Sequence, residues 1–395
     1  VLHAQVGRKG DVALGHIYFD VDSAGTEIRG IDSEEQFRAI NANRYGNYVL
    51  NRDIYYGKAY ATPTVDNGNA WWWNIGTFFG DLDLQGHTLH KINEGYMFDA
   101  VGSVAKKQGS IRNGTIWFDY DRTKPWSYSH FFGNNYGTLE NLNFRIAISD
   151  PKITDNSYNR TNWKSVGGYM IGSNMGTIRN FTVNYEKELG SATWASFIAD
   201  NYSLVEKGYA YGAGVRGGGL VGGIIGRNRT SGTARYLYST IDSRSNDTKY
   251  DERWEYRTCY NGTIIGQNSG KAYGLLATGN VYTYTTTITG GNYEFDNEIN
   301  YNAKGCAIGI TDTRMDTKNC YYATVGNNSR VDYAVDSKNE RVEGGMLTDA
   351  SWYKETFGTQ CFDSHLEKLL SDGYYPWVDM GAAAEKYNIK QPYLE

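Results

Sequence analysis

Residues 131–144, FFGNNYGTLENLNF, and residues 170–183, MIGSNMGTIRNFTV, are two copies of one pattern. Two apolar residues lead into a glycine and a polar stretch containing Asn. Gly-Thr, an aliphatic residue, any residue, Asn and a further apolar residue follow. Looser copies begin at 224 (IIGRNRTSGTARYL) and 264 (IIGQNSGKAYGLLA), a worn one at 308 (IGITDTRMDTKNCYY), and another is visible at 109 (GSIRNGTIWF). The leading glycines, Gly133, Gly172, Gly226, Gly266 and Gly309, are spaced by 39, 54, 40 and 43 residues. Such a period marks a stacked repeat.

Each unit has a physical reading. The apolar runs, such as Leu220-Val221 and Ile224-Ile225, suit short strands with a buried face. Glycine permits the positive backbone angles of a sharp corner, and Asn tolerates them. Asn135, Asn174, Asn228 and Asn268 each stand two residues after their glycine, so stacked coils would align them as an amide ladder. In Thr138–Phe144, Leu142 and Phe144 share one face. Leu139 has the opposite parity and reaches the core only if the chain bends between. No segment keeps a 3.6-residue apolar period. Two short helices are expected, Ser33 to Ile40 from a Ser cap with acids in its first turn, and His365 to Leu370. The expected fold is all-β, a right-handed parallel β-helix (solenoid) with large loop insertions, its hand following the general chirality of parallel crossovers. About eight to ten coils at ~4.8 Å would make a rod on the order of 40–50 Å long.

The totals agree. At 395 residues the chain exceeds what one compact core accommodates. Glycine is abundant (47), proline scarce (5), and tyrosine stands out at 34 beside 10 Trp and 14 Phe. A thin tube cannot bury so many rings, so some face solvent, which tyrosine tolerates because its tip is polar. The net charge of −5, with signs mixed along the chain, offers nothing to attract nucleic acid, and no run of 18 apolar residues encodes a membrane span. With neither an initiator Met nor a signal peptide, Val1 is expected to follow a processing boundary. Cys259, Cys306, Cys320 and Cys361 match no close-spaced metal pattern. They leave one or two disulfides open, with buried free thiols the plainer reading.

Residues 1–30 are expected to form N-terminal lead-in strands, 31–345 the coils, and 346–395 a closing segment. Three stretches break the rhythm and are expected as insertions, near 187–215, 233–258 and 281–304. The last contains VYTYTTTIT, which alternates in large part and suits a strand pair or side sheet. Insertions on a solenoid tend to project from one face, often the binding face.

These repeats resemble the GLUG motif of bacterial surface and secreted proteins. IDSEEQFRAI (31–40), YVLNRDI (48–54) and WNIGTFFGDLDLQGHTL (73–89) are similar to the lead-in of such domains, and MLTDASWY (346–353) with GYYPW (373–377) to their closing segment. The tyrosine load, the insertions and the scarcity of proline are further similar to tāpirins, cell-surface proteins of cellulolytic thermophiles with β-helical C-terminal domains. The resemblance implies an extracellular location on a bacterial cell surface and adhesion to cellulose.

Catalytic and metal chemistry find weak footing. Asp81 and Asp83 could share a strand face as a glycosidase acid and base, with His87 nearby. Asp83 and His87 also fall where the GLUG lead-in has structural turn residues, the stronger reading. Asp150, Asp155 and Asp200 sit in loops without an evident partner. Asp312 and Asp316 are too few for calcium, which takes six to eight oxygens. No nucleophile elbow, phosphate loop or paired-histidine motif occurs, and no metal or cofactor is expected. The sequons at Asn113 and Asn180 fall within the coil pattern, where a structural role explains them better than glycosylation.

The aromatics remain. Glucan surfaces are gripped by coplanar rings, each worth about 1 kcal/mol by analogy with aromatic pairs. The candidates are Trp71, Trp72, Trp126, Tyr128, Trp254, Tyr256, Tyr282 and Tyr284. Tyr282 and Tyr284 are two apart in a strand pattern and so share a face. Trp73 matches the structural tryptophan of the lead-in and is set aside. The expected function is a monomeric, non-catalytic adhesin for insoluble polysaccharide, cellulose foremost. The alternatives are a phage tail-fibre or host-recognition module, which should trimerise, and a β-helix polysaccharide lyase or glycoside hydrolase.

Overall fold

The structure, a computed structural model, describes residues 2–4, 17–21, 27–56, 75–91, 95–119, 129–147, 168–191, 194–217, 220–250, 260–277, 279, 281–289, 292–300, 307–311, 317–322 and 340–341. These residues form an all-β parallel β-helix of three sheets. The largest has 15 strands and runs from the N-terminal strands through Thr138–Ile146, Thr177–Tyr185, Leu204–Gly212 and Thr233–Ser239 to Lys271–Ala277 and beyond. A second, of nine strands, carries Ser129–Asn135, Gly168–Asn174, Trp194–Asn201, Leu220–Asn228 and Ile265–Asn268. The third has five strands, Leu189–Ser191, Val215–Gly217, Ser243–Tyr250, Val281–Thr289 and Asn292–Asn300.

The repeat does what its residues require. In Thr138–Ile146, Leu139, Leu142, Phe144 and Ile146 are all buried. The parity conflict is resolved by Asn141, whose φ of 53° bends the strand. The same register position is left-handed in successive coils, at Asn113, Asn180, Lys207, Tyr236 and Gly274. Asn holds three of these bends because its amide also links coils. Asn141 donates to Asn113 (3.0 Å) and Asn180 to Asn141 (3.1 Å). The sequon residues Asn113 and Asn180 are therefore parts of the bend.

The amide ladder at the corner between the first two sheets is buried throughout. Asn135 donates to Asn174 (2.8 Å), Asn174 to Asn201 (2.8 Å), Asn201 to Asn228 (2.8 Å) and Asn228 to Asn268 (2.7 Å). Asn201 is the member that the glycine pattern hid. The interval of 54 between Gly172 and Gly226 is two coils, with Asn174, Asn201 and Asn228 each 27 residues apart. Residues 187–215 are thus a complete coil, not an insertion: Ala199 stands where neighbouring coils have Gly172 and Gly226, and the strand pairs with both neighbours. Nor is 233–258 wholly insertion. It begins with a first-sheet strand and continues into the third sheet at Ser243–Tyr250. In 281–304, Val281–Thr289 pairs antiparallel with Asn292–Asn300, the expected strand pair, while its other edge extends the parallel third sheet.

Inside the tube, Phe98 stacks on Phe132 (5.7 Å between centroids), and Phe144 packs on Phe197 (4.6 Å). The helix α1, Glu34–Ala39, starts at Ser33, whose Oγ accepts from the Gln36 amide (3.3 Å), and gives Phe37 to this core. The expected helix at His365–Leu370 lies outside the described residues, as do Cys259, Cys306 and Cys361. Cys320 is buried, its thiol donating to the Ala272 carbonyl (3.8 Å). Among the described residues no helix is long and apolar enough to cross a membrane.

Replacing Asn201 with Ala should unpair a donor on Asn174 and an acceptor on Asn228. At about 1–3 kcal/mol for each buried unsatisfied group, urea unfolding should show a loss of roughly 2–6 kcal/mol. An unchanged midpoint would mean that the ladder follows the stack without stabilising it.

Candidate binding surface

The corner between the first and second sheets turns on glycine. A Cβ on Gly80 would collide with the Gly46 carbonyl, on Gly137 with that of Gly109, and on Gly176 with that of Gly137. Register carries the position through Ser203 to Gly232 and Gly270. The residue just before each of these lies at the apex and cannot enter the core. In coil order the apex holds Tyr45, Phe79, Gln108, Tyr136, Met175, Tyr202, Ser231 and Ser269, and none of the eight is buried. Tyr45 is 58 % exposed and stacks on Phe79 with centroids 4.8 Å apart and planes 8° apart. The Lys106 ammonium lies 5.2 Å from the Tyr45 ring. At the far end the Arg229 guanidinium sits 5.6 Å from the Tyr202 ring and pairs with Asp200 at 2.7 Å. Asp200, expected in a loop without a partner, stands in the strand Trp194–Asn201 and also binds Arg227 (2.8 Å), so it is fixed between two cations.

A second outward column crosses the first sheet through Tyr55, His90, Trp117 and Arg145. Tyr55 is exposed, and the His90 ring lies 5.1 Å from it. His90 stacks on Trp117 at 4.0 Å, and the Arg145 guanidinium lies 4.0 Å over the indole. Within this stack ring faces meet their neighbours, as they also do between Tyr45 and Phe79, and Tyr55 is the member with broad exposed surface. Burial lowers the His90 pKa; Asp119 opposes that, Arg145 reinforces it, and Glu186 opposes it. Further along the sheet, Tyr209 and Tyr238 point outward by strand alternation, yet both are buried. Outward tyrosines are therefore not all exposed.

Of the ring residues expected from sequence, Trp71, Trp72, Trp126, Tyr128, Trp254 and Tyr256 lie outside the described residues. Tyr282 and Tyr284 stand two apart in Val281–Thr289, in register with Arg244 and Asn246. The apex residues escaped notice, although Tyr136 and Met175 stand inside the repeats themselves, each before its Gly-Thr.

Asp81 and Asp83 do share one strand face, and Arg112 spans them, 2.7 Å from Asp81 and 3.2 Å from Asp83. Ser110 also binds Asp81, while the Gln85 amide (2.9 Å) and Asn113 (3.1 Å) bind Asp83. His87 faces Asp53 instead (3.5 Å). These partners give the two carboxylates a structural role. Asp150, Asp155, Asp312 and Asp316 lie outside the described residues. No family model, curated protein or solved structure matches the chain.

Because the folded His90 pKa lies below the unfolded value of about 6.5, the unfolded chain binds more protons near that pH. The contribution of His90 to stability is complete above about 6.5 and is lost as pH falls through the folded value. Melting curves from pH 8 to 5 should therefore show His90→Phe, which keeps a ring in the stack, gaining on the wild type as pH falls. Parallel curves would refute this.

Proposed function

We propose that this protein is a non-catalytic adhesin of the bacterial cell surface, related to GLUG-motif and tāpirin-type proteins, that holds insoluble plant polysaccharide, cellulose foremost, as a monomer. One observation carries the reading. The exposed large apolar side chains among the described residues are Tyr45, Tyr55, Tyr202 and Val104. Three of the four are tyrosines, while Ile, Leu and Phe fill the tube. Rings with polar tips on a rigid scaffold can stack on sugar faces and still remain soluble. A stack of coils is also a long, straight body, the shape that distributes weak contacts along a polymer. The pairing of Asp81 and Asp83 with Arg112 speaks for binding over hydrolysis at that pair.

The purified protein should be retained on crystalline cellulose in preference to xylan and chitin, without releasing reducing ends. Stacking is not ionic, so retention should be nearly the same at about 0.1 M and 1 M salt, where the Debye length falls from ~10 Å to ~3 Å. Absence of retention on all three solids would overturn the reading, and release of sugar would replace it with an enzymatic one.

A further inference from the structure

Of the eight apex positions four carry rings, Tyr45, Phe79, Tyr136 and Tyr202, and the last three of these are spaced in a way that suits a particular ligand. Phe79, Tyr136 and Tyr202 occupy every second coil, with Gln108 and Met175 between them. Adjacent strands in a sheet lie about 4.8 Å apart, so these rings recur about every 10 Å along the helix axis. That is comparable to the length of two linked pyranose rings. In a β-1,4-linked chain successive sugars are turned over relative to one another, so equivalent faces recur with every second sugar. The flanks are polar: Asn134 and Ser173 stand on the second-sheet side, and Thr138 and Thr177 on the first-sheet side, all half-buried. Hydroxyls at the edges of a chain lying along the apex would meet hydrogen-bonding groups on both sides.

We propose that this corner ridge is the track on which a single extended β-1,4-linked glycan lies parallel to the helix axis, one disaccharide for every two coils. The proposal rests on the adhesin reading and adds to it the site, the orientation and the repeat of the ligand. Tyr45 and Phe79 form one end of the track, and Tyr202 beneath Arg229 forms the other. Phe79 to Tyr202 spans four coil steps, about 19 Å, so a ligand must be at least about four sugars long to touch Phe79, Tyr136 and Tyr202 together.

The test uses the full chain, crystalline cellulose and soluble cello-oligosaccharides of two to six sugars. Affinity should climb between two and four sugars and level off beyond that. The triple variant Tyr45→Ala, Tyr136→Ala, Tyr202→Ala should lose at least about tenfold in affinity, with an unchanged circular dichroism spectrum. Arg52→Ala, exposed and off the ridge, should bind as the wild type does. Equal affinity for two and six sugars would overturn the track. So would a triple variant that binds normally while Tyr282→Ala, Tyr284→Ala abolishes retention, and in that case the adhesin reading would survive. A wild-type protein that binds neither cellulose nor any oligosaccharide would overturn both. If the triple variant unfolds, the single variants Tyr136→Ala and Tyr202→Ala decide: each should weaken binding several-fold, and no effect from either would reject the ridge.

Discussion

At the corner between the first and second sheets, the backbone of one coil lies directly on the backbone of the next. There is no space there for a Cβ at Gly80, Gly137 or Gly176. Once the corner closes, a buried amide two residues earlier, or four at Asn228, can reach its counterpart in the following coil, and the Asn ladder forms. Asn135, Asn174, Asn201 and Asn228 also donate to the main chain beyond the corner, as Asn174 does to the Leu204 carbonyl (3.1 Å) and Asn228 to that of Lys271 (3.0 Å). These bonds satisfy corner carbonyls that sheet pairing leaves over, and an unsatisfied polar group inside the tube would be costly. The ladder begins at Asn135 because the preceding coil has Val101 in register, which offers no amide.

The outer face follows a different rule, set by the same close spacing. Side chains in register are neighbours across each coil boundary, so like charges stacked there would repel. The first-sheet column alternates Arg112, Glu140, Arg179, Glu206 and Arg235. Arg179 pairs with Glu140 at 2.6 Å and Arg235 with Glu206 at 2.5 Å. The even mixture of acids and bases in the composition is thus arranged coil by coil. These pairs are partly exposed and contribute modestly to stability, but the alternation also resists a slip of register, which would set like charges against each other.

Much of the architecture was legible wherever a residue type answers a backbone demand. The parity of Leu139 against Leu142 required a bend, and the bend lies at Asn141. Ser33 and the acids after it announced α1. The coil through Asn201 was missed because the glycine used to count coils is Ala199 there, and the corner residue is Ser203. The ladder Asn was the firmer marker, since a buried amide has fewer substitutes than a small residue does. The third sheet was also missed, because Leu189–Ser191 and Val215–Gly217 are too short to show alternation. Expectations about the aromatics were the least secure. Burial of an outward ring, as at Tyr209 and Tyr238, depends on what covers it, and one strand's pattern carries no record of that.

The apex residues join the two halves of the account. A residue just before the corner glycine is held outward by the turn, and neither the core nor the ladder constrains its type. That explains how Tyr45, Phe79, Gln108, Met175 and Tyr202 can occupy equivalent positions in one regular stack. The framework fixes their spacing, while the sequence is free to choose which coils carry a ring. A surface built this way is ordered before any ligand arrives. The backbone beneath each ring is held by sheet pairing and by the ladder, so little freedom of the main chain is left to be lost on binding. Several weak stacking contacts on such a frame can act together, as the same contacts on a mobile loop would not.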